Sequence, residues 1–205
     1  MKNTIKKTLF FFLTSLAFSS ATPTVRFENI TLEHGLSQSI INVIHKDSKG
    51  FMWFGTEDGL NKYNGYSLQV YKHDPFDTTT ISNNSILCIA ENENGNLWVG
   101  TSDGGLAYFD RGRETFKNYT HQKGVDHSPR RNRIQSIHLD SHGYIWILYD
   151  EDTRGLDRFN PQTGHFDQYY HLPDDPNSLS DDRVRLVYED LQGTIWVGTV
   201  NGLNR

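Results

Sequence analysis

The chain has 205 residues, with 20 Lys and Arg against 25 Asp and Glu for a net charge of −5, and 36% of its residues are hydrophobic. An acidic balance of this kind repels a phosphate backbone, so nucleic acid is excluded as a partner class. The single cysteine, Cys88, rules out a disulfide framework within one chain; its register with Val43 and Leu186 reads as a small buried hydrophobe.

The chain opens with Lys2, Lys6 and Lys7, followed by an apolar run from Leu9 to Phe18 and the small residues Ser19, Ser20 and Ala21. This is the composition of a secretory signal peptide over 1–21, with cleavage expected after Ala21. The alternative is a membrane anchor, but ten helical residues reach only about 15 Å against a hydrocarbon core of roughly 30 Å. Without the three leader lysines the count is 17 basic against 25 acidic residues, a net charge of −8. Residues 22–36 form an N-terminal segment in which Phe27 and Ile30 are spaced like Phe116 and Tyr119, or Phe166 and Tyr169. That spacing predicts an outer, closing strand over 26–31.

From residue 37 onward the chain is repetitive. Trp53, Trp98, Trp146 and Trp196 recur at spacings of 45, 48 and 50 residues, each with a glycine three positions earlier: Gly50, Gly95, Gly143 and Gly193. Six before each Trp stands Asp47, Asn92, Asp140 or Asp190, and twelve before stands Ile41, Ile86, Ile134 or Val184. A Gly-Leu pair follows each Trp after a segment of variable length. A β-branched strand, an Asp-x-x-Gly turn and an aromatic strand make a β-hairpin. Two more short strands follow in each unit, from segments such as GLNKYN, GYSLQVYKH, ETFKNYTH and GHFDQYYH.

Four strands in 45 to 50 residues is the blade of a β-propeller, with the Trp wedged between neighbouring sheets. Helical repeats of similar period are excluded, because no window carries apolar residues at three-and-four spacing and Gly and Asn interrupt every eight to twelve positions. The expected fold is all-β: about four blades over 37–84, 85–132, 133–182 and 183–205, the last incomplete. Asp47, Asp140 and Asp190 are read as turn formers, and the four Trp and four Gly as structural.

The loops from 73 to 86, 121 to 134 and 171 to 184 have equal length and open on His73, His121 and His171. Recurrence in register assigns these histidines a structural role, such as a hydrogen bond to the backbone. The third Trp motif departs from the others, reading WILY at 146–149 where Gly-Thr is expected, which predicts an altered turn after the second strand.

GLSQSIINVIHKDSKGFMWFGTEDGLNKYNGY at 35–66 resembles the two-component regulator propeller repeat, and the likeness extends over nearly all of 35–205. The resemblance implies the periplasmic sensor half of a hybrid histidine kinase or of a membrane-anchored diguanylate cyclase, in a Gram-negative bacterium. It further implies a small-molecule, glycan or protein ligand, no cofactor, attachment to the membrane only through a part outside this chain, and a dimeric receptor. No kinase or cyclase motif occurs within these 205 residues.

Candidate binding residues are sought where the sequence departs from the repeat on a loop. His127, Arg130, Arg131 and Arg133 form a basic group in the third loop, suited to a carboxylated, sulfated or phosphorylated ligand. The competing reading is a charged, solvated loop. No catalytic residue or metal ligand is assigned, since the nine histidines lack the spacing of a zinc site. Asp58, Asp103 and Asp152 precede Gly-Leu in register and read as turn residues.

The alternative function is a secreted propeller enzyme of hydrolase or lyase type, which needs convergent acids or a metal at the channel mouth. Two readings of the chain end stand: the N-terminal strand completes the fourth blade and closes a four-bladed ring, or the blades continue past Arg205 in a longer sensor. The stop inside a repeat motif favours the second.

Overall fold

A computed structural model describes residues 25–125, 127–150 and 155–205. The expected signal peptide at 1–21, and residues 151–154 with the expected turn residue Asp152, lie outside the described residues. After a 3-10 turn at Leu32–His34 every regular element is a strand. The first sheet contains β1 (Ile41–Lys46), β2 (Met52–Thr56), β3 (Gly59–Tyr63) and β4 (Leu68–Tyr71), hydrogen-bonded in that order. The second contains β5 (Ile86–Glu91), β6 (Leu97–Thr101), β7 (Leu106–Asp110) and β8 (Thr115–Tyr119). The third contains β9 (Ser136–Leu139), β10 (Ile145–Leu148), β11 (Leu156–Asn160) and β12 (His165–Tyr169), and the fourth contains β13 (Val184–Glu189), β14 (Ile195–Thr199) and β15 (Gly202–Asn204). All pairings are antiparallel, and the first strands of the first three sheets lie against one another, as in successive propeller blades.

Each first hairpin is set by its Asp-x-x-Gly turn. The Gly50 amide donates to the Asp47 carbonyl at 3.0 Å, and Gly50 stands at φ 90°, a left-handed conformation that a side chain would strain. The Asp47 carboxylate then uses both oxygens. Oδ1 accepts the amides of Lys49 and Phe51 at 3.0 and 2.9 Å, and Oδ2 accepts the indole N–H of Trp53 at 2.7 Å. Asp140 and Asp190 repeat this arrangement with Trp146 and Trp196, at 2.9 and 2.7 Å. Turn and wedge are thus fixed by one side chain.

The indoles cross the gaps between sheets. Trp53 is fully buried and meets Phe109 of the next sheet edge-on at 5.6 Å; Trp98 meets Phe159 of the third sheet the same way at 5.7 Å. Burying such a ring contributes up to about 4 to 6 kcal/mol, from roughly 200 Å² at about 25 cal/mol per Å². Trp146 is buried against Leu148, Leu156 and Val197, whereas Trp196 is only half-buried.

Close approach of the sheets depends on the glycine two residues after Trp. A Cβ at Gly100 would stand 2.4 Å from Cys88 Sγ in its own sheet and 2.7 Å from Ile134 Cγ2 at the third. In the third copy this position is Leu148, buried among Trp146, Leu156 and Val197, so that seam is filled by a side chain. WILY therefore alters the packing between sheets, while β10 and β11 pair in unbroken register. The third sheet also begins late. Ile134 lies buried ahead of β9, whereas Ile41, Ile86 and Val184 start their strands and are followed by a bulge.

The strand expected over 26–31 is not formed. Residues 25–31 join no sheet, Phe27 is 90% exposed, and the fourth sheet has three strands among the described residues. The apolar spacing matches that of true outer strands, but β8 and β12 each follow a third strand through a short turn, and among the described residues no strand precedes 26–31.

The recurrent histidines clasp the loops. The backbone N–H of His73 donates to Asn84 Oδ1 at 2.7 Å, and its ring Nδ1 donates to the Ile81 carbonyl at 2.8 Å. His121 does the same with Asn132 and Pro129, and His171 with Asp182 and Leu179.

Gly100→Val is expected to overpack the seam and lower stability by about 1 to 3 kcal/mol or more. Gly112→Ala, where an added Cβ meets nothing closer than 3.4 Å, is expected to leave thermal unfolding by circular dichroism nearly unchanged.

Candidate functional site

The four basic loop residues do not form one site. His127 is exposed, with its ring 4.4 Å from that of His165. Arg133 reaches Asp150 at 3.2 Å, and Arg131 is exposed, donating from Nη1 to the Arg130 carbonyl at 3.1 Å. Arg130 is the correction: it is not a solvent-facing ligand contact but a buried residue, 8% exposed, whose Nε and Nη2 both donate to Asp157 Oδ1 at 3.0 and 2.9 Å.

The reason for its burial lies in the repeat. In the first sheet Ser37, Thr56 and Asn61 form a polar knot: the Ser37 amide donates to Asn61 Oδ1 at 2.9 Å, and the two hydroxyls are 2.9 Å apart. Ser180, Thr199 and Asn204 copy it in the fourth sheet with the same distances. In the third sheet the same three register positions hold Arg130, Tyr149 and Asp157. The Arg130 amide donates to Asp157 Oδ2 at 3.0 Å, and the Tyr149 hydroxyl donates to the same oxygen at 2.6 Å. Burial, and then the Asp157 charge beside it, push the Tyr149 phenol well above its ordinary range. Arg130 and Asp157, joined by the neutral Tyr149, stand where uncharged residues stand in the first and fourth sheets. The signal was present in the sequence as a matched triple departure at positions 130, 149 and 157.

A second polar cluster closes the seam between the first and second sheets. Glu91, at the end of β5, accepts the backbone amide and hydroxyl of Ser48, each at 2.7 Å. Arg111 Nη2 lies 2.9 Å from Asp47 Oδ2 and 3.5 Å from Glu91 Oε1. Burial pushes the Asp47 carboxyl up, but the Trp53 indole, the Phe51 amide, Arg111 and the Lys49 amide together hold it below its ordinary range. Ser141 and Glu189 repeat the Ser–Glu contact between the third and fourth sheets. Between the second and third sheets the four corresponding residues are Asn92, Glu93, Leu139 and Pro161. There the seam is open as a cavity of about 660 Å³ that all four line. Asp58, at the turn before Gly59, pairs with Lys72 at 2.6 Å and accepts from Asn84.

Comparison with known proteins agrees with this geometry. The sequence profile described as "Two component regulator propeller" matches residues 35–58 and 80–103, so the repeats there are of that kind. "Histidine kinase P4" of Formosa agariphila is 45% identical over 56 residues, 27% of this chain and 4% of that protein. Two similar solved structures are extracellular domains of hybrid two component systems from B. thetaiotaomicron. BT3049 has TM-score 0.64 at 23% identity, covering 86% of this chain and 30% of that one. BT4673 has TM-score 0.64 at 24% identity, covering 82% and 23%. These structural likenesses show the fold. The chain spans less than a third of either solved domain and a small fraction of the kinase.

Arg130→Ala leaves Asp157 buried without its guanidinium and is expected to cost about 3 to 5 kcal/mol in urea unfolding. Arg130→Ser with Tyr149→Thr and Asp157→Asn rebuilds the neutral knot and is expected to recover most of that. Asp47→Asn, which loses the indole acceptor and the Arg111 partner, is expected to cost about 1.5 to 3 kcal/mol at pH 7. Because folding depresses the Asp47 pKa, its contribution is full above the unfolded value near 3.8 and fades as pH falls through the lower folded value. The difference from wild type is therefore expected to close in acid, and a gap independent of pH would contradict the assignment.

Proposed function

We propose that these blades are the extracytoplasmic input region of a signalling receptor, of hybrid histidine kinase or diguanylate cyclase type. On this reading the region binds a small molecule, a glycan or a protein partner without catalysing a reaction. The observation that carries the proposal is the two component regulator propeller repeat at 35–58 and 80–103, set in a fold shared with extracellular domains of hybrid two component systems. The leader-like composition of residues 1–21 supports export to the periplasm. No helix of the described residues is long and apolar enough to cross a membrane. Attachment, pairing of receptors and output chemistry are assigned to other parts of a longer receptor.

The domain division follows the same reading: a signal peptide at 1–21, a linker at 22–36, and blades at 37–84, 85–132, 133–182 and from 183 onward. Rigidity suits the role. A stack of sheets locked by buried indoles holds its loops and seams in fixed positions, so that a ligand is met by a preformed surface.

The reading is tested in the producing bacterium by deleting codons 37–205 in frame from the chromosomal gene. Loss of the transcriptional response to the inducing growth condition is expected, with the truncated product still present on immunoblot. An unaltered response would contradict an input role.

A further inference from the structure

We infer that the open seam between the second and third sheets is a ligand site for a neutral, hydroxylated ring, the chemistry shared by a sugar residue and a phenol. This deepens the input-region reading and rests on it.

The first seam shows what closes such a gap. Ser48 is tied to Glu91, Arg111 inserts beside Asp47 and Glu91, and the Arg111 guanidinium lies 5.8 Å from the centre of the Trp53 ring. At the second seam each of those four residues is replaced. Asn92 stands for Asp47, Glu93 for Ser48, Leu139 for Glu91 and Pro161 for Arg111, and the cavity of about 660 Å³ lies among them. One replacement would be drift, but here the whole clamp is removed at one seam while its Ser–Glu part recurs at the next, between Ser141 and Glu189. The volume is that of a small-molecule site.

The walls indicate the ligand's chemistry. A fifth departure adds an aromatic: directly opposite the Trp, the first and third sheets carry Lys62 and Arg158, each above its indole at 5.7 Å, whereas the second carries Tyr108. Tyr108 packs on Trp98 at 4.7 Å, and Tyr119 lies 6.0 Å from the same indole, so three rings line one wall. Leu139 and Pro161 oppose them across the seam.

A flat-faced ring fits between such surfaces. The amides of Asn92, Asn94 and Gln162 line the same cavity and suit hydroxyl groups, each of which both donates and accepts. Charge argues for a neutral guest. The acid–base clamp is gone, Glu93 and Lys117 are exposed and of opposite sign, and the buried Asp140 of the same lining already accepts the amides of His142 and Tyr144 and the indole N–H of Trp146. A bare cation therefore meets a carboxylate already engaged by three donors, and a bare anion meets no buried cation among the lining residues.

The test uses the whole exported chain, titrated with maltose and cellobiose as the sugar arm and with 4-hydroxybenzyl alcohol as the phenol arm. Binding is followed by tryptophan fluorescence and by the indole resonance of Trp98. The matched variant restores the first seam's residues, N92D, E93S, L139E and P161R together; Tyr108→Lys alone, which places there the residue of the first sheet, serves if the fourfold variant does not fold.

Saturable binding by at least one probe is expected, with a shift of the Trp98 resonance and at least a tenfold loss of affinity in the variant; the arm that binds identifies the source of the ring. Binding that survives in the variant would move the site elsewhere and overturn the inference. No response from either arm up to 10 mM would overturn the ligand class. Neither result touches the input role, which falls only if the in-frame deletion leaves signalling intact.

Discussion

The structure depends on a carboxylate that serves two masters. Asp47 ties off its own hairpin turn with one oxygen and holds the indole of Trp53 with the other, six residues away. The turn fixes where the second strand begins, and the same side chain aims the ring that bridges to the next sheet. Local structure and packing between sheets are therefore coupled within one seven-residue phrase. A unit so built cannot cover its own indole, so each copy is stable only beside another.

The fold was legible for this reason. The interval of the four Trp residues, the glycine at minus three and the Asp at minus six are all local, and local rules translate directly into hairpins. The strand expected at 26–31 shows the limit of that approach. Two apolar residues at a familiar spacing predict pairing, yet residues 25–31 join no sheet although the fourth ends on β15 with three strands; spacing alone does not bring a segment to an edge.

The candidate site is less legible, because proximity in the chain does not report which loop side chains meet. Arg130, Arg131 and Arg133 are neighbours in the chain, yet Arg130 is buried on Asp157, 27 positions away, and Arg133 meets Asp150. The informative comparison runs across repeats. Arg130, Tyr149 and Asp157 make sense only beside Ser37, Thr56 and Asn61, and Pro161 only beside Arg111. Departures that come in compensated sets, as in the third sheet's polar knot, preserve packing. Departures that remove a clamp and leave space, as at the second seam, mark surface available for recognition.

Hydrogen exchange of the indole N–H groups tests the central claim most directly, because the account places those of Trp53 and Trp146 in buried bonds to Asp47 and Asp140. In two-dimensional NMR these two protons are predicted to exchange only through opening of the domain, and much more slowly than that of Trp98, whose register partner is Asn92. Equal and rapid exchange of all four indoles would place the rings in water and contradict the account.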